Sequence, residues 1–507
     1  MQPAQYEPDP SPVAVPADRI TDFRAARRVI ERGVLPLASS VDGSRFEFQA
    51  SLVDLALQAG GYVVLETGGA GRLGQVLTLQ IARVDAAEVE PASPGAFHIR
   101  TAQGDGIVLD GEGVPFHDAA IRPARTDEVH DWVMKNRPQR AMLEIGEQLL
   151  APGVPAALDA GGFNRHTFLC GQSGSGKTYS LGLVLEQLLV ETGLRMVILD
   201  PNSDFVRLAE TRAGLHPTLT DRYAEAARGI AVRRSGGAGD DRLRLRFADI
   251  DRAGRGALLQ LDPISDREEY AALSSFLDAN EQGAALIEGL DDFLTVDQPG
   301  ARELGLRASN LGVLDWSIWA RGQAGSLLED LQEGDLRCLV VDLGSLDTPE
   351  EQSVVAESVL ATLWNRRSRR EPVLVVIDEA HNVCPAEPRD AITALAAEYA
   401  VRIAAEGRKF GLYLLLSTQR PQKVQENVLS QCDNLLLMRM NSTADLEFLR
   451  SVFSFVPTGL LDRSPTFEQG HALVAGKVMP HAGYVRFGTR TAEEGGADVP
   501  ASWAAFR

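Results

Sequence analysis

The sequence predicts an α/β fold: a parallel sheet covered by helices on both faces, preceded by a small β-rich domain and interrupted by a mostly helical insertion. Three observations carry this prediction. Several apolar runs of five or six residues are nearly continuous rather than alternating, as in strands that are buried on both faces. Segments with helical periodicity alternate with these runs after about residue 165. Short strand-like runs separated by glycine-rich turns dominate the first 140 residues.

The composition is that of a globular protein. The chain has 507 residues, enough for two or three domains, and 44% of them are hydrophobic. No apolar run approaches the roughly 18 residues that a membrane span needs, so we expect no membrane association. The four cysteines are scattered, which favours buried thiols in a reducing, cytoplasmic setting. The net charge of −20 argues against an extensive basic surface, although a basic channel can coexist with an acidic exterior.

Changes in composition predict the domain boundaries. Residues 1–17 contain five prolines and no basic residue, which is typical of a disordered tail rather than a secretory signal. Residues 18–140 are expected to form the small barrel or sandwich, and residues 141–490 the α/β core. An insertion at 205–334 is expected to contain helices at 268–280 and 282–293 and a short basic strand from Ile230. Residues 491–507 form a C-terminal tail that either docks or is frayed.

The most specific motif is Gly171-Gln-Ser-Gly-Ser-Gly-Lys-Thr178, which lies between an apolar run and an amphipathic helix. Its glycines allow the backbone to wrap around phosphate oxygens, so that N–H groups point inward. We expect Lys177 to reach the β- and γ-phosphates of ATP and the hydroxyl of Thr178 to bind Mg²⁺. The predicted ATP-binding residues are Gly171, Gln172, Ser173, Gly174, Ser175, Gly176, Lys177, Thr178 and Tyr179.

A second motif, Val375-Val-Ile-Asp-Glu-Ala-His-Asn382, ends a buried strand in two carboxylates. We expect Asp378 to hold Mg²⁺ and Glu379 to polarise the water that attacks the γ-phosphate. Adjacent residues on a strand point in different directions, so one can face the metal and the other the water. The alternative is a pair of surface acids in a turn, but the apolar run and the companion phosphate loop disfavour it.

Three further positions are less specific. Gln419 ends the next predicted strand, where it could sense the γ-phosphate or simply belong to a turn before Pro421. Arg408 could reach the nucleotide of a neighbouring subunit, although a solvated turn or an ordinary ion pair is the simpler interpretation. Asp200 and Asp204 follow another strand and could assist the metal or the water, or cap a turn.

Together, these motifs resemble the HerA family of the HerA–FtsK superfamily. The resemblance covers about residues 30–200 and 335–490, and it implies a RecA-like P-loop ATPase core behind a barrel of the type found in rotary ATP synthases. It implies Asp378 on Mg²⁺, Glu379 as catalytic base, Gln419 as sensor and Arg408 as a finger acting across subunits. One motif differs, because the family often has Asp-Pro-His-Gly-Glu where this chain has Asp-Pro-Asn-Ser-Asp204. The role of the shorter Asp204 therefore stays open.

The resemblance also implies a function. The expected protein is a hexameric ring that hydrolyses ATP to translocate or unwind double-stranded DNA. It would work with a nuclease or a NAD-consuming effector, in DNA end processing or antiviral defence. One alternative is an ATP-dependent scaffold or switch for such an effector, and another is a pump, which the lack of a membrane segment disfavours.

A motor needs basic side chains facing its channel. The candidates, each of which could equally be a solvated charge run, are Arg233, Arg234, Arg242, Arg244, Arg246 and the basic residues of 366–370.

Overall fold

The computed structural model describes residues 36–496 except 53–54, 86–97, 112, 280–286, 297, 322–323 and 333–335, together with Ala25. The predicted tail at 1–17 and residues 497–507 lie outside the described residues. The chain divides into two compact units, Met1–Trp132 and Val133–Arg507. Within the described residues, no helix combines the length and the apolar character needed to cross a bilayer.

The first unit contains a closed barrel of six strands, which confirms the predicted small barrel. The strands pair antiparallel in the order β1-β2-β5-β4-β3-β6, and β6 closes the barrel by pairing with β1. Strand β2 shows the underlying period of two, since Phe46, Phe48 and Ala50 are buried and the residues between them are exposed. The strands are β1 (Leu37–Ser40), β2 (Arg45–Ser51), β3 (Tyr62–Thr67), β4 (Ala70–Asp85), β5 (His98–Val108) and β6 (Phe116–Pro123). Helix α1 (Thr126–Lys135) follows them.

The second unit is built on one sheet of eleven strands. Its order is β11-β12-β10-β13-β14-β9-β15-β16-β17-β7-β8, in which the strands from β11 to β15 are parallel and the other four are antiparallel. The strands are β7 (Met142–Gln148), β8 (Pro155–Asp159), β9 (His166–Cys170), β10 (Arg195–Asp200), β11 (Ile230–Arg233), β12 (Cys338–Asp342), β13 (Val373–Ile377), β14 (Leu412–Thr418), β15 (Cys432–Leu437), β16 (His471–Gly476) and β17 (Gly483–Phe487).

Helices surround this sheet. They are α2 (Lys177–Glu191), α3 (Pro217–Ala227), α4 (Arg252–Leu258), α5 (Arg267–Ala279), α6 (Ala301–Asn310), α7 (Leu327–Asp330), α8 (Pro349–Asn365), α9 (Ala391–Glu406), α10 (Glu426–Leu429), α11 (Thr443–Val452) and α12 (Thr458–Leu461). Every residue of β9, β12 and β13 is buried, as predicted for parallel strands covered on both faces.

The strand order positions the predicted motifs. Strand β14 lies between β9, which leads into the phosphate loop, and β13, which leads into Asp378. Because these strands are parallel, their carboxyl ends meet at one edge of the sheet. The sequence motifs that follow β9, β13 and β14 are therefore brought together by the topology. This is the RecA-like core that the sequence predicted.

The insertion differs from the prediction in two places. Ile230–Arg233, expected inside it, is β11 and pairs in parallel with β12 as the edge strand of the core sheet. The helix expected at 282–293 is not α-helical where it is described, because Ile287–Leu290 and Asp292–Thr295 form two 3₁₀ turns. The turns allow Phe293 to meet Phe276 of α5 edge to face, with ring centroids 5.4 Å apart.

Candidate nucleotide site

The phosphate loop joins β9 to the amino end of α2. Gly174 and Gly176 have φ angles of 73° and 91°, in the left-handed region that favours glycine. Gly171 has no room for a side chain, since a Cβ there would lie 2.7 Å from the Cβ of Met438. The buried hydroxyl of Ser175 has no hydrogen-bond partner among the described residues. Backbone amides, this hydroxyl and the start of a 15-residue helix thus form an anion-binding arrangement.

Lys177 joins the two main motifs, which are 201 positions apart in the chain. Its Nζ lies 2.8 Å from Oδ1 of Asp378, 3.1 Å from Oε1 of Glu379 and 2.9 Å from Oγ of Ser417. The lysine side chain is only 5% exposed. Burial alone would lower the pKa of Lys177, but the two carboxylates outweigh it and the pKa is raised. The ammonium is therefore charged and fixed at the carboxyl edge of the sheet.

Glu379 is held in a strained conformation at this edge. Its φ of 42° is unusual for a residue other than glycine, and strain of this kind is concentrated at functional sites. Its Oε1 accepts a hydrogen bond from Nε2 of Gln419 at 3.1 Å, and its Oε2 lies 3.3 Å from Nδ1 of His381. Burial would raise the pKa of Glu379, but the His381 hydrogen bond and the Lys177 charge lower it to about 2. The carboxylate is thus ionised and oriented, as a general base must be.

The surroundings of Asp378 fit a magnesium ion. Its side chain is fully buried, Oδ1 faces Lys177, and Oδ2 has no hydrogen-bond partner within the described part of the chain. An unpaired buried carboxylate oxygen is unfavourable unless a cation or a water meets it. Thr178, the residue after Lys177, supplies a hydroxyl oxygen, and hard oxygen ligands are those that Mg²⁺ prefers. Asp378 and Thr178 would therefore hold the predicted Mg²⁺.

The aspartate that ends β10 and the aspartate in the following turn have different roles. The carboxylate of Asp200 accepts hydrogen bonds from the backbone N–H groups of Asp204 at 3.0 Å and Phe205 at 2.8 Å, so it caps a turn. Burial raises the pKa of Asp200 to about 7. Asp204 faces the phosphate loop, where its Oδ2 accepts a hydrogen bond from Oγ1 of Thr178 at 3.3 Å.

The structure adds residues that sequence reasoning did not assign. Ser417 contacts Lys177, and His381 bridges Glu379 and the hydroxyl of Thr418, 2.9 Å away. Arg439 donates from Nη2 to the backbone oxygen of Gly174 at 3.1 Å and so braces the phosphate loop. Polar Ser417 at the end of an apolar strand, and His381 inside a quoted motif, were detectable signals. Arg439 carried none.

Tyr179 was predicted to bind ATP, but its hydroxyl is engaged by protein groups. It accepts hydrogen bonds from the backbone N–H of Arg490 at 2.7 Å and from Nη1 of Arg212 at 3.3 Å. The guanidinium of Arg212 also lies over the ring, 5.8 Å from its centroid. The phenol therefore fixes the start of α2 against neighbouring segments, and any contact with nucleotide would come from the ring or the backbone.

Arg408 does not belong to the site formed by its own chain. It lies in the turn just before β14, at the amino edge of the sheet, whereas the phosphate loop and Glu379 lie at the carboxyl edge. The seven residues of β14 separate these edges by roughly 20 Å. The guanidinium donates to Oδ2 of Asp433 at 2.7 Å, and its side chain is 40% exposed. Arg408 therefore cannot contact a nucleotide held by the phosphate loop of its own chain.

The basic candidates for a DNA channel have unequal surroundings. Arg233 makes a two-pronged contact with Asp330, at 2.7 and 2.9 Å, and Arg246 contacts Glu329 at 3.0 Å. These two guanidinium groups are committed to partners inside the chain. The basic residues of 366–370 form a turn before β13, at the same amino edge as Arg408. The exposed members of the candidate set are Arg234, Arg242, Arg369 and Arg370.

Comparison with known proteins agrees with this geometry. The family model described as "Helicase HerA, central domain" matches residues 143–299. A "DNA double-strand break repair helicase HerA" from Saccharolobus solfataricus is 25% identical over 382 residues, which cover 72% of this chain and 71% of the relative. The chain is thus similar to HerA helicases over 72% of its length.

Other HerA relatives align over different lengths. The HerA of Pyrococcus furiosus is 23% identical and covers 68% of this chain and 69% of the relative. The match to HerA of Sulfurisphaera tokodaii is 29% identical but spans only 32% of that relative's length. Among solved structures, VirB4 of Thermoanaerobacter pseudethanolicus is 18% identical, covers 70% of this chain and 98% of that one, and has a TM-score of 0.45. The conjugative coupling protein TrwBdeltaN70 is 14% identical, covers 72% and 92%, and has a TM-score of 0.48. At such scores these structures are too loosely similar to compare functional residues.

Proposed function

We propose that this chain is the ATP-hydrolysing subunit of a ring that moves or unwinds double-stranded DNA. The convergence of Lys177, Asp378, Glu379 and Gln419 at one edge of the sheet carries the proposal. A phosphate loop, a metal-binding carboxylate and a second, oriented carboxylate are the parts that hydrolysis of a phosphoanhydride requires. The names of the curated relatives, which refer to helicases and to double-strand break repair, support DNA as the substrate.

The residues divide the work of hydrolysis. The ammonium of Lys177 neutralises Asp378 and Glu379, and the phosphates of ATP would compete for it. Bound Mg²⁺ would offset negative charge on the phosphates. Glu379, held by Gln419 and His381, accepts the proton of the attacking water, because its ionised carboxylate is already aligned. Gln419 links this base to β14 and can report the presence of the γ-phosphate.

The position of Arg408 supports a homo-oligomer, and we propose a hexamer. A finger at the amino edge and a phosphate loop at the carboxyl edge can meet only between two copies of the chain. In such an assembly each site is completed by its neighbour. Hydrolysis would then depend on assembly, as expected when the charge of the transferred phosphoryl group is stabilised in trans.

The proposal includes a partner and a cellular setting. Because the resemblance to the HerA family implies such a partner, we propose a partner nuclease or NAD-consuming effector, in DNA end processing or antiviral defence. A cytoplasmic setting is consistent with four cysteines that are all free and buried.

A scaffold or switch is the second candidate, and the arginine pairs favour it. Arg233 and Arg246, two of the arginines expected to grip DNA, are occupied by Asp330 and Glu329. A switch would bind and hydrolyse ATP to assemble an effector, with no need for a basic channel.

Hydrolysis rates with and without linear double-stranded DNA distinguish the two candidates. We expect DNA to raise the rate of the parent protein, the stimulation to fall with salt, and Lys177→Ala to be inactive. ATP hydrolysis that ignores DNA at every salt concentration would favour the switch. An inactive parent protein, tested with and without DNA at protein concentrations that allow assembly, would contradict both.

A further inference from the structure

A segment near the C-terminus lies across the helix that follows the phosphate loop. This strap, residues 488–496, donates from the N–H of Arg490 to the hydroxyl of Tyr179 at 2.7 Å. The N–H groups of Thr491 and Ala492 donate to the carboxylate of Glu186, at distances of 2.8 and 2.9 Å. Tyr179 and Glu186 are seven residues apart on α2 and therefore share one face. The strap covers that face.

A buried arginine fixes the strap in place. The side chain of Arg490 is fully buried, and its guanidinium lies over the ring of Phe205, 5.9 Å from the centroid. The helix makes room for it at Gly182, where a Cβ would lie 2.2 Å from Cζ of Arg490. Its Nη2 donates to the backbone oxygen of Glu493 at 3.1 Å. Burial of a guanidinium is costly unless it is paired and hydrogen-bonded, and here the partners are Glu493 and Glu494 of the strap itself, so these contacts favour one position for the strap.

From the helix the strap continues to the loop that carries Asp204. The N–H of Glu493 donates to the oxygen of Glu210 at 2.9 Å, and the N–H of Gly495 donates to the backbone oxygen of Asp204 at 3.0 Å. The approach at Gly495 is close, since a Cβ there would lie 2.1 Å from the backbone oxygen of Ser203. The strap and the Asp204 loop therefore cannot move independently here.

Asp204 is in turn held beside the proposed metal ligand. Its N–H is bound by the carboxylate of Asp200 and its backbone oxygen by Gly495, so the backbone is fixed from two sides. Its Oδ2 accepts the hydrogen of the Thr178 hydroxyl at 3.3 Å. A hydroxyl can donate its hydrogen to a carboxylate while its lone pairs face a cation.

We propose that Asp204 is a positioning residue for the magnesium site, and that the strap sets its position. Asp204 orients the Thr178 hydroxyl so that the oxygen lone pairs face Mg²⁺, and residues 493–496 hold Asp204 in register with the phosphate loop. The inference rests on the proposed function, since it assumes that Thr178 binds the metal of Mg·ATP. It makes the end of the chain part of the nucleotide site.

The test measures binding rather than turnover. A fluorescent ADP analogue is titrated with the full chain in EDTA and at a series of Mg²⁺ concentrations. Asp204→Asn keeps the size of the side chain but removes its charge. We expect the Mg²⁺ concentration that gives half of the gain in analogue affinity to rise roughly 10- to 100-fold in this variant, the usual effect of losing a residue that orients a metal ligand. Affinity in EDTA should stay as in the parent protein, because Lys177 and the loop are intact.

A second pair of variants tests the strap. Gly495→Ala should push the strap away from Ser203 and reproduce a weaker form of the Mg²⁺ effect. Gly193→Ala is the matched control, because a Cβ there meets nothing within 4 Å. Unchanged Mg²⁺ dependence in Asp204→Asn would overturn the role of Asp204. If the Mg²⁺ dependence of binding changes in Asp204→Asn but not in Gly495→Ala, the role of the strap is wrong.

The parent protein separates this inference from the proposed function. If the parent protein hydrolyses ATP but binds the analogue equally with and without Mg²⁺, the further inference fails while the proposed function stands. If Mg²⁺ tightens binding in the parent and in Asp204→Asn to the same extent, only the further inference is wrong. Circular dichroism and melting in EDTA verify that each variant is folded.

Discussion

Replacing Lys177 by Ala should destabilise the nucleotide-free protein, in addition to preventing ATP binding. The ammonium contacts two buried carboxylates, those of Asp378 and Glu379, whose side chains are 0% and 6% exposed. Removing one partner of a buried ion pair leaves the other charge unpaired, which costs about 3–5 kcal/mol. We therefore expect the free energy of unfolding of Lys177→Ala to fall by about that amount at neutral pH.

The pH dependence of this loss has a definite sign. In the parent protein the folded pKa of Glu379 is lowered to about 2, below its unfolded value. The ionised carboxylate of Glu379 therefore stabilises the folded protein fully above the unfolded pKa, and this stabilisation is lost as pH falls toward 2. Without Lys177, burial is opposed by fewer groups, chiefly His381 and Gln419, and we expect the folded pKa of Glu379 to rise above its unfolded value. A carboxyl group whose folded pKa exceeds its unfolded pKa becomes less favourable as pH increases. The variant should therefore lose more stability at pH 8 than at pH 5.

Urea unfolding at pH 5 and pH 8, in EDTA and without nucleotide, measures both effects. Lys409→Ala, which removes an exposed lysine, is the matched control and should change stability by no more than about 0.5 kcal/mol. If Lys177→Ala unfolds at the same urea concentration as the parent at both pH values, Lys177 does not pair with the carboxylates in the free protein. The pairing of Lys177 with the two carboxylates would then be wrong.

Three further outcomes are expected. Glu379→Gln should slow steady-state ATP hydrolysis roughly 100- to 10,000-fold while ATP stays bound, as measured by filter retention of labelled nucleotide. Hydrolysis at the parent rate would exclude Glu379 as the base. Arg408→Ala should be inactive alone but regain part of its activity when mixed with Glu379→Gln subunits, whereas full activity alone would remove it from the site. Burial raises the pKa of Glu357 from 4.5 to about 8, so the folded protein loses stability as pH rises from the unfolded pKa to about 8. Glu357→Gln should thus be more stable than the parent by roughly 2–4 kcal/mol above pH 8 and equally stable near pH 4. The control Glu350→Gln, at an exposed position, should leave stability unchanged at both pH values. Equal urea midpoints for Glu357→Gln and the parent above pH 8 would contradict the prediction.

The parts of the site that could be predicted are those encoded in contiguous residues. The phosphate loop needs glycines, a lysine and a threonine within eight positions, and the Asp378–Glu379 pair follows directly on an apolar strand. Such features are visible without knowledge of the fold. Ser417 and Arg439 reach the phosphate loop from positions 240 and 265 residues away. Their roles follow from strand order, and the order of strands in a sheet is not a local property.

In the fold, too, the parts that could be predicted are those encoded in contiguous residues. The buried strands β9, β12 and β13 were predictable because continuous apolar runs are typical of strands covered on both faces. The sequence places β11 in the insertion because it is a short run that ends in arginines, and the structure shows that its four residues are only partly buried. An edge strand is paired on one side only, so its composition resembles that of a surface loop. Arg490 also gave no signal, since a buried arginine cannot be told from an exposed one by its sequence context.

The opposite placement of Arg408 and the phosphate loop constrains any assembly of this chain. If Arg408 completes a neighbour's site, the amino edge of one sheet must face the carboxyl edge of the next. Contacts of this head-to-tail kind join different surfaces, and they form a ring when the rotation between copies closes. Arg408 must also leave Asp433, but a pair whose side chains are 40% and 42% exposed is held by only about 0–1 kcal/mol. A contact with phosphate exceeds that, so assembly around bound ATP can release the arginine without a further conformational change.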